Sequence, residues 1–133
     1  MTKQEFYRFI EAKGRPIFLD GATGSNLQKK GMPTGVCPEQ WILEHRDVML
    51  DLQKRYVKAG TNILYAPTFT ANRMKLAEYG LEEKMHSMIR ELTAISREAA
   101  SGADHPVYIA GDLTMTGFNW APVIVRSPAI KTG

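Results

Sequence analysis

Cysteine is almost missing from this chain: Cys37 stands alone, so no internal disulfide framework can form. One thiol fits a reducing compartment, and the expectation is a cytoplasmic protein. A zinc site needs several ligands, which a lone cysteine cannot supply. Long apolar runs are also absent, none approaching the roughly 20 residues that span a bilayer. The N-terminus, "MTKQEFYRFIEAKG", carries acids and aromatics where a secretory leader needs an apolar core. Charge of one sign is not in excess either. With 17 basic and 14 acidic residues the net charge is +3, and the densest basic stretches, "LQKK" and "KRYVK", read as a solvated face rather than a nucleic-acid patch. No G-x-G-x-x-G, no P-loop lysine, no Ser/His/Asp order and no glycosidase-like pair of carboxylates occurs. His45, His86 and His105 are isolated and lack ligand spacing. Repeats and low-complexity segments are missing too.

What is present reads as one soluble domain. A 133-residue chain with 44% hydrophobic and 23% charged residues can bury a modest core. Thr2 followed by Glu5 fits a capping box, and Phe6, Phe9 and Ile10 recur at helical spacing up to Gly14. "PIFLD" reads as a buried strand running into a glycine loop. A Gly/Pro-containing loop, "GMPTGVCPE", precedes "DVMLDLQKRYVKAG", which reads as a helix closed by Gly60. "NILYAP" is a second strand, stopped by Pro67. Leu81, Met85, Met88, Leu92, Ile95 and Ala99 then form one buried helical stripe, where the methionines serve as core packing. Ser101-Gly102 ends that helix, and "PVYIAGD" is a third strand. Strands separated by helices of this length pair in parallel, so the chain is α/β. Both an open doubly wound sheet and a (β/α) barrel fit this order.

In either architecture, ligands sit at the carboxyl ends of the strands. The three strands here end in Asp20-Gly21, in Pro67-Thr68-Phe69 and in Gly111-Asp112. Asp20 alone can be a turn-capping residue or part of a site, and "DGATGS" by itself supports both. A rival is the phosphate-binding loop of actin-like sugar kinases, which also runs strand, Asp, Gly and small hydroxyl residues. That loop is an antiparallel hairpin, whereas "SNLQKKG" continues toward a helical turn. Cys37 in "GVCPEQW" reads as an inert small hydrophobe.

Taken in order, "FLDGATGSNLQKKG", "CPEQWILEHRDVMLDLQKRYVKAGTNILYAPTFTANRMKL" and "VYIAGDLTMTG" resemble the homocysteine S-methyltransferase family. That family includes the homocysteine-binding module of cobalamin-dependent methionine synthase and the betaine-dependent enzymes. The resemblance covers Arg15 to Gly117 and implies the first three βα units of a (β/α)8 TIM-type barrel. It implies methyl transfer to the homocysteine sulfur, giving methionine, with zinc on three cysteine thiolates holding that sulfur as a thiolate. Relatives draw the methyl group from methyltetrahydrofolate through cobalamin, from betaine or from S-methylmethionine. Carried over by position, Asp20 pairs with the ammonium group of homocysteine. Gly21, Ala22 and Thr23 offer backbone N–H groups to its carboxylate, and Thr68, Phe69 and Asp112 line the same pocket.

Two departures accompany the resemblance. Pro67 stands where many members carry asparagine. The zinc cysteines of the family lie in later βα units, and Cys37 does not occupy one of their positions, so neither metal ligands nor catalytic residues are expected here. Residues 1–117 therefore read as the N-terminal part of a homocysteine-binding barrel, with an N-terminal helix over 1–14. Residues 118–133, "FNWAPVIVRSPAIKTG", read as a tail without a fourth unit. A barrel typically takes about 250 residues. The expectation is a truncated product, inactive alone in methyl transfer; the alternative is a non-catalytic α/β module that self-associates through its open sheet edge.

Overall fold

The computed structural model describes residues 2–14, 16–113 and 116. The expected tail, 118–133, lies outside these residues. The first helix, α1 (Lys3–Lys13), starts on the expected capping box: the Thr2 side chain accepts from the Glu5 N–H and the Glu5 carboxylate accepts from the Thr2 N–H. It ends at Gly14 in the left-handed region (φ 57°). Its Phe6 and Phe9 rings meet Tyr108 edge to face, with centroids 6.2 and 4.8 Å away.

Residues 16–20 are less of a strand than their apolar run suggests. They make one isolated parallel bridge, Leu19 to Ile63, and Phe18 and Leu19 are 55% and 50% exposed. The expected buried strand is thus corrected to a single parallel contact. Its backbone pairs on one side only, and although Lys13 of α1 lies 5.7 Å from the Phe18 ring centroid, both side chains stay half exposed. The glycine loop leads into α2 (Gly24–Lys29). A parallel bridge followed by a helix is not the antiparallel hairpin of a kinase-like phosphate loop.

The Gly/Pro segment holds an element that the pattern does not announce. Helix α3 (Pro38–Glu44) begins inside "GMPTGVCPE", with Pro38 in its first turn, where a missing N–H costs nothing. Helix α4 (Arg46–Lys58) follows at once, and Gly60 (φ 104°) turns the chain after it. Then come β1 (Ile63–Tyr65), α5 (Arg73–Ala77), a 3-10 turn (Glu82–Lys84), α6 (Met85–Ser101) and β2 (Tyr108–Ala110). Strands β1 and β2 pair in parallel with Ile63 opposite Tyr108 and Tyr65 opposite Ala110. The architecture is α/β, as the element order implies. Among the described residues, no helix is long and apolar enough to cross a membrane.

Leu81 precedes α6 rather than belonging to it, yet the expected stripe is real. Met88, Leu92, Ile95 and Ala99 are all buried, and Met85 is half-buried. The stripe packs α6 against α3 and α4. Together with Met49, Leu52 and Trp41 it forms the main core, while Leu64 of β1 meets Val57 and Ala99 in a smaller one. Leu92 is fully buried at the centre of the stripe. Leu92→Ala should cost about 3 kcal/mol through lost apolar transfer and the cavity left behind. Urea unfolding followed by far-UV circular dichroism reads this directly, and a cost below about 1 kcal/mol would contradict the packing described.

Candidate functional site

The register of residues 18–20 against β1 places the first candidate residue. Phe18 O accepts from the N–H groups of Asn62 and Ile63, and Asp20 N donates to Ile63 O at 3.2 Å. Asp20 thereby reaches the end of β1, where its Oδ2 accepts from Tyr65 N at 3.1 Å. On the other side of that residue, Tyr65 O accepts from Nε2 of the buried Gln53 at 3.0 Å. The end of β1 is pinned from both directions.

A second bond joins the ends of β1 and β2. Thr68 Oγ1 donates to Asp112 O at 3.0 Å and accepts from Asp112 N at 3.2 Å. The Thr68 hydroxyl is thus engaged with backbone, which fixes the two loops to each other. Ala66 N donates to Ala110 O at 2.8 Å and continues the same seam. Asp112 is close enough for its charge to act on Asp20.

Beside this seam lies a cavity of about 350 Å³. Thr23, Phe69 and Asp112 line it, together with Glu39, Tyr65 and Pro67. Asp20, Gly21, Ala22 and Thr68 sit outside its wall, Asp20 and Thr68 being tied to it through Tyr65 and Asp112. Among the described residues, the backbone N–H groups of Gly21, Ala22 and Thr23 meet no acceptor. A larger cavity, about 610 Å³, lies at the opposite ends of the strands and is lined by Phe9, Lys13, Phe18, Asn62 and His105. It contains none of the candidate residues. His105 bonds there to Thr61 O and Asp104, while His45 stacks on Trp41 and bonds to its carbonyl.

Burial pushes the Asp20 carboxyl above the ordinary aspartate range. The N–H groups of Tyr65 and of Asp20 itself oppose this shift, and the charge of Asp112 adds to it. The site thus holds a carboxylate that is costly to ionise and, among the described residues, has no cationic partner to offset the cost.

Glu39 is the site residue that sequence reasoning missed. It sits in the first turn of α3 and is only 2% exposed. Its oxygens accept from Thr70 N and Thr70 Oγ1, both at 2.7 Å, and from Cys37 Sγ at 3.6 Å. It therefore ties α3 to the loop carrying Thr68 and Phe69. The available signal was a proline followed by an acid, the composition of a helix first turn.

The zinc that the family resemblance implies does not fit these residues. Among the described residues, no three His, Cys, Asp or Glu side chains cluster in a way that holds a metal ion. Burial, the largest influence on the Cys37 thiol, raises its pKa, and the neighbouring Glu39 charge adds to this. That disfavours the thiolate a metal ligand must become.

Three substitutions check this geometry. Glu39→Ala leaves the Thr70 N–H and hydroxyl without their acceptor and should cost about 2–3 kcal/mol in urea unfolding. Glu39→Gln keeps an acceptor and should cost clearly less; equal losses would contradict the bonding described. For Asp20, a pKa raised in the folded state means stability is fully present below the unfolded value, about 4, and declines as pH rises through the folded value. Asp20→Asn keeps an acceptor for Tyr65 N and removes the charge. Its melting temperature at pH 7 should match or exceed that of the parent, and a clear drop would contradict the shift.

With this geometry in hand, comparison with known proteins is informative. The family model for homocysteine S-methyltransferase matches residues 17–128, continuing beyond Gly117, where the sequence pattern fades. Methionine synthase of Mycobacterium leprae (strain TN) is 28% identical over 108 residues, which are 74% of this chain and 9% of that protein. S-methylmethionine–homocysteine S-methyltransferase of Pongo abelii is 26% identical over 104 residues, 77% of this chain and 27% of that protein. The chain thus spans well under a third of either curated relative. It belongs to the homocysteine S-methyltransferase family.

Proposed function

We propose that this chain supplies the amino-acid-holding part of a homocysteine site, within a (β/α)8 barrel of the family type. The observation that carries the reading is the junction of strand ends. Asp20, Thr68 and Asp112 come from separate segments and are joined around β1 by hydrogen bonds. Next to them, three consecutive N–H groups lack acceptors among the described residues.

In this reading the Asp20 carboxylate receives the ammonium group of homocysteine. The incoming cation offsets both the burial of Asp20 and the repulsion from Asp112, so ligand binding relieves a cost already present in the fold. Gly21, Ala22 and Thr23 direct N–H groups at the substrate carboxylate. Thr68 holds the β2 end in place, and Phe69 and Asp112 line the wall beside the side chain. Methyl transfer itself forms a sulfur–carbon bond as the donor–methyl bond breaks, with loss of the thiol proton. Among the described residues no group suits the activation of that sulfur, by zinc or otherwise. The role assigned here is recognition, in an enzyme whose methyl donor is carried by other regions.

A second reading, self-association, is favoured by one observation: Phe18, Leu19 and Leu113 are 55%, 50% and 90% exposed. Sedimentation equilibrium should then show dimers or larger species, and a compact monomer at high concentration would remove this reading.

Calorimetric titration with L-homocysteine tests the main reading. One-to-one binding is expected, and Asp20→Asn should weaken it about tenfold or more, the scale of a lost charge-assisted bond. Binding should also fade as pH falls and Asp20 takes up its proton. The absence of binding at neutral pH, or an Asn variant that binds equally well, would sink the reading. A response to ATP but not to homocysteine would favour the phosphate-loop alternative.

A further inference from the structure

We propose that Tyr56 and Asn26 are positioning residues that aim the Thr23 N–H at the ligand carboxylate; the proposal rests on the homocysteine reading above. Tyr56, on α4, donates its hydroxyl to Ala22 O at 2.8 Å. Asn26, on α2, donates Nδ2 to the same oxygen at 2.6 Å and lies 3.3 Å from the Tyr56 hydroxyl. Two side chains from separate helices thus hold a single carbonyl.

The consequence follows from peptide geometry. In a planar trans peptide the C=O and the next N–H point in opposite directions, and no described peptide bond is cis. Holding Ala22 O toward Tyr56 and Asn26 therefore sends the Thr23 N–H the other way. The wall of the 350 Å³ cavity includes Thr23, Gly24 and Leu27 but neither Asn26 nor Tyr56. In the arrangement proposed, the carbonyl is held by residues outside that wall, which turns the opposed N–H toward the cavity. That N–H meets no acceptor among the described residues. A donor fixed before the ligand arrives avoids the ordering cost that a mobile loop would pay on binding.

Gly21 belongs to the same device. A Cβ built there would lie 2.9 Å from the Tyr56 hydroxyl oxygen and 3.0 and 3.1 Å from ring carbons. Gly21 is not among the glycines with positive φ, so space, rather than backbone conformation, demands it. The missing side chain is what lets Tyr56 reach over to Ala22 O. Glycine here serves a protein contact as much as an approach by ligand.

The experiment compares L-homocysteine with 3-aminopropane-1-thiol, which keeps the amine and thiol but lacks the carboxylate. Both are titrated by NMR, following the Thr23 amide, into the parent chain and into Tyr56→Phe, Asn26→Ala and Asp20→Asn. Tyr56→Phe keeps the ring over Gly21 and deletes only the donor. It should weaken homocysteine about threefold to tenfold, the worth of one neutral hydrogen bond, and leave the carboxylate-free analogue unchanged. Asn26→Ala should show the same signature, so the test survives if one variant fails to fold. Asp20→Asn should weaken both ligands. If Tyr56→Phe and Asn26→Ala bind homocysteine as the parent does, the clamp is overturned while the homocysteine reading stands. Equal losses for both ligands would overturn it too, by showing a general effect on the pocket. A parent chain that binds neither ligand would remove the underlying reading and the clamp with it.

Discussion

Phe18 offers its carbonyl to two N–H groups of the β1 segment, and Asp20 returns its own N–H to Ile63 O. Everything at the candidate site is measured from this short parallel register. Side chains alternate faces along an extended chain, so a slip of one residue would turn Asp20 away from Tyr65 N and bring a glycine there instead. The contact is small, a single bridge with exposed neighbours, and cannot hold itself. Its stability comes from β1, which is anchored by Leu64 in the core and by its pairing with β2.

Helix α4 links that core to the site. Its inward residues Met49, Leu52 and Val57 are buried, and the helix packs against α6. From the same helix, Gln53 reaches Tyr65 O and Tyr56 reaches Ala22 O. Residues three apart lie on adjoining parts of a helix face, so one rigid element addresses both the end of β1 and the glycine loop. A shift of α4 in the core would move the end of β1 and the glycine loop together. Ordinary apolar packing in this way helps to set the geometry of the candidate site.

The parts of this arrangement that were legible in the sequence are those with a local cause. The Thr2/Glu5 cap, the stripe from Met88 to Ala99 and the parallel order of the strands follow from spacing and capping alone. "PIFLD" misled because an apolar run reports a preference for burial, while burial also needs full cover, and the Lys13 contact over the Phe18 ring leaves Phe18 and Leu19 half exposed. Helix α3 was hidden in a segment whose glycines and prolines pointed to a loop, although Pro38 suits a first turn. Tyr56 was not legible at all, and for Glu39 only a place in a helix first turn was signalled, not its role. Their meaning lies in contacts 31 and 34 residues away, with Thr70 and Ala22, and no local pattern encodes them.

The residues around the cavity also show where stability has been given up. Asp20 is partly buried, repelled by Asp112 and without a described cationic partner, so its ionised form burdens the fold. A structural acid would sit more comfortably as asparagine, which keeps the bond to Tyr65 N without the charge. Glu39 makes the contrast plain, because it is more buried than Asp20 yet has its oxygens taken up by Thr70 and Cys37. One carboxyl group is spent on holding a loop, and the other retains capacity for a partner that the described residues do not supply. Among the described residues no cation completes Asp20, and in the reading proposed above a ligand supplies it, with an anion beside that cation for the neighbouring N–H groups. An α-amino acid joins both charges on one carbon, and the ligand proposed above is of that class.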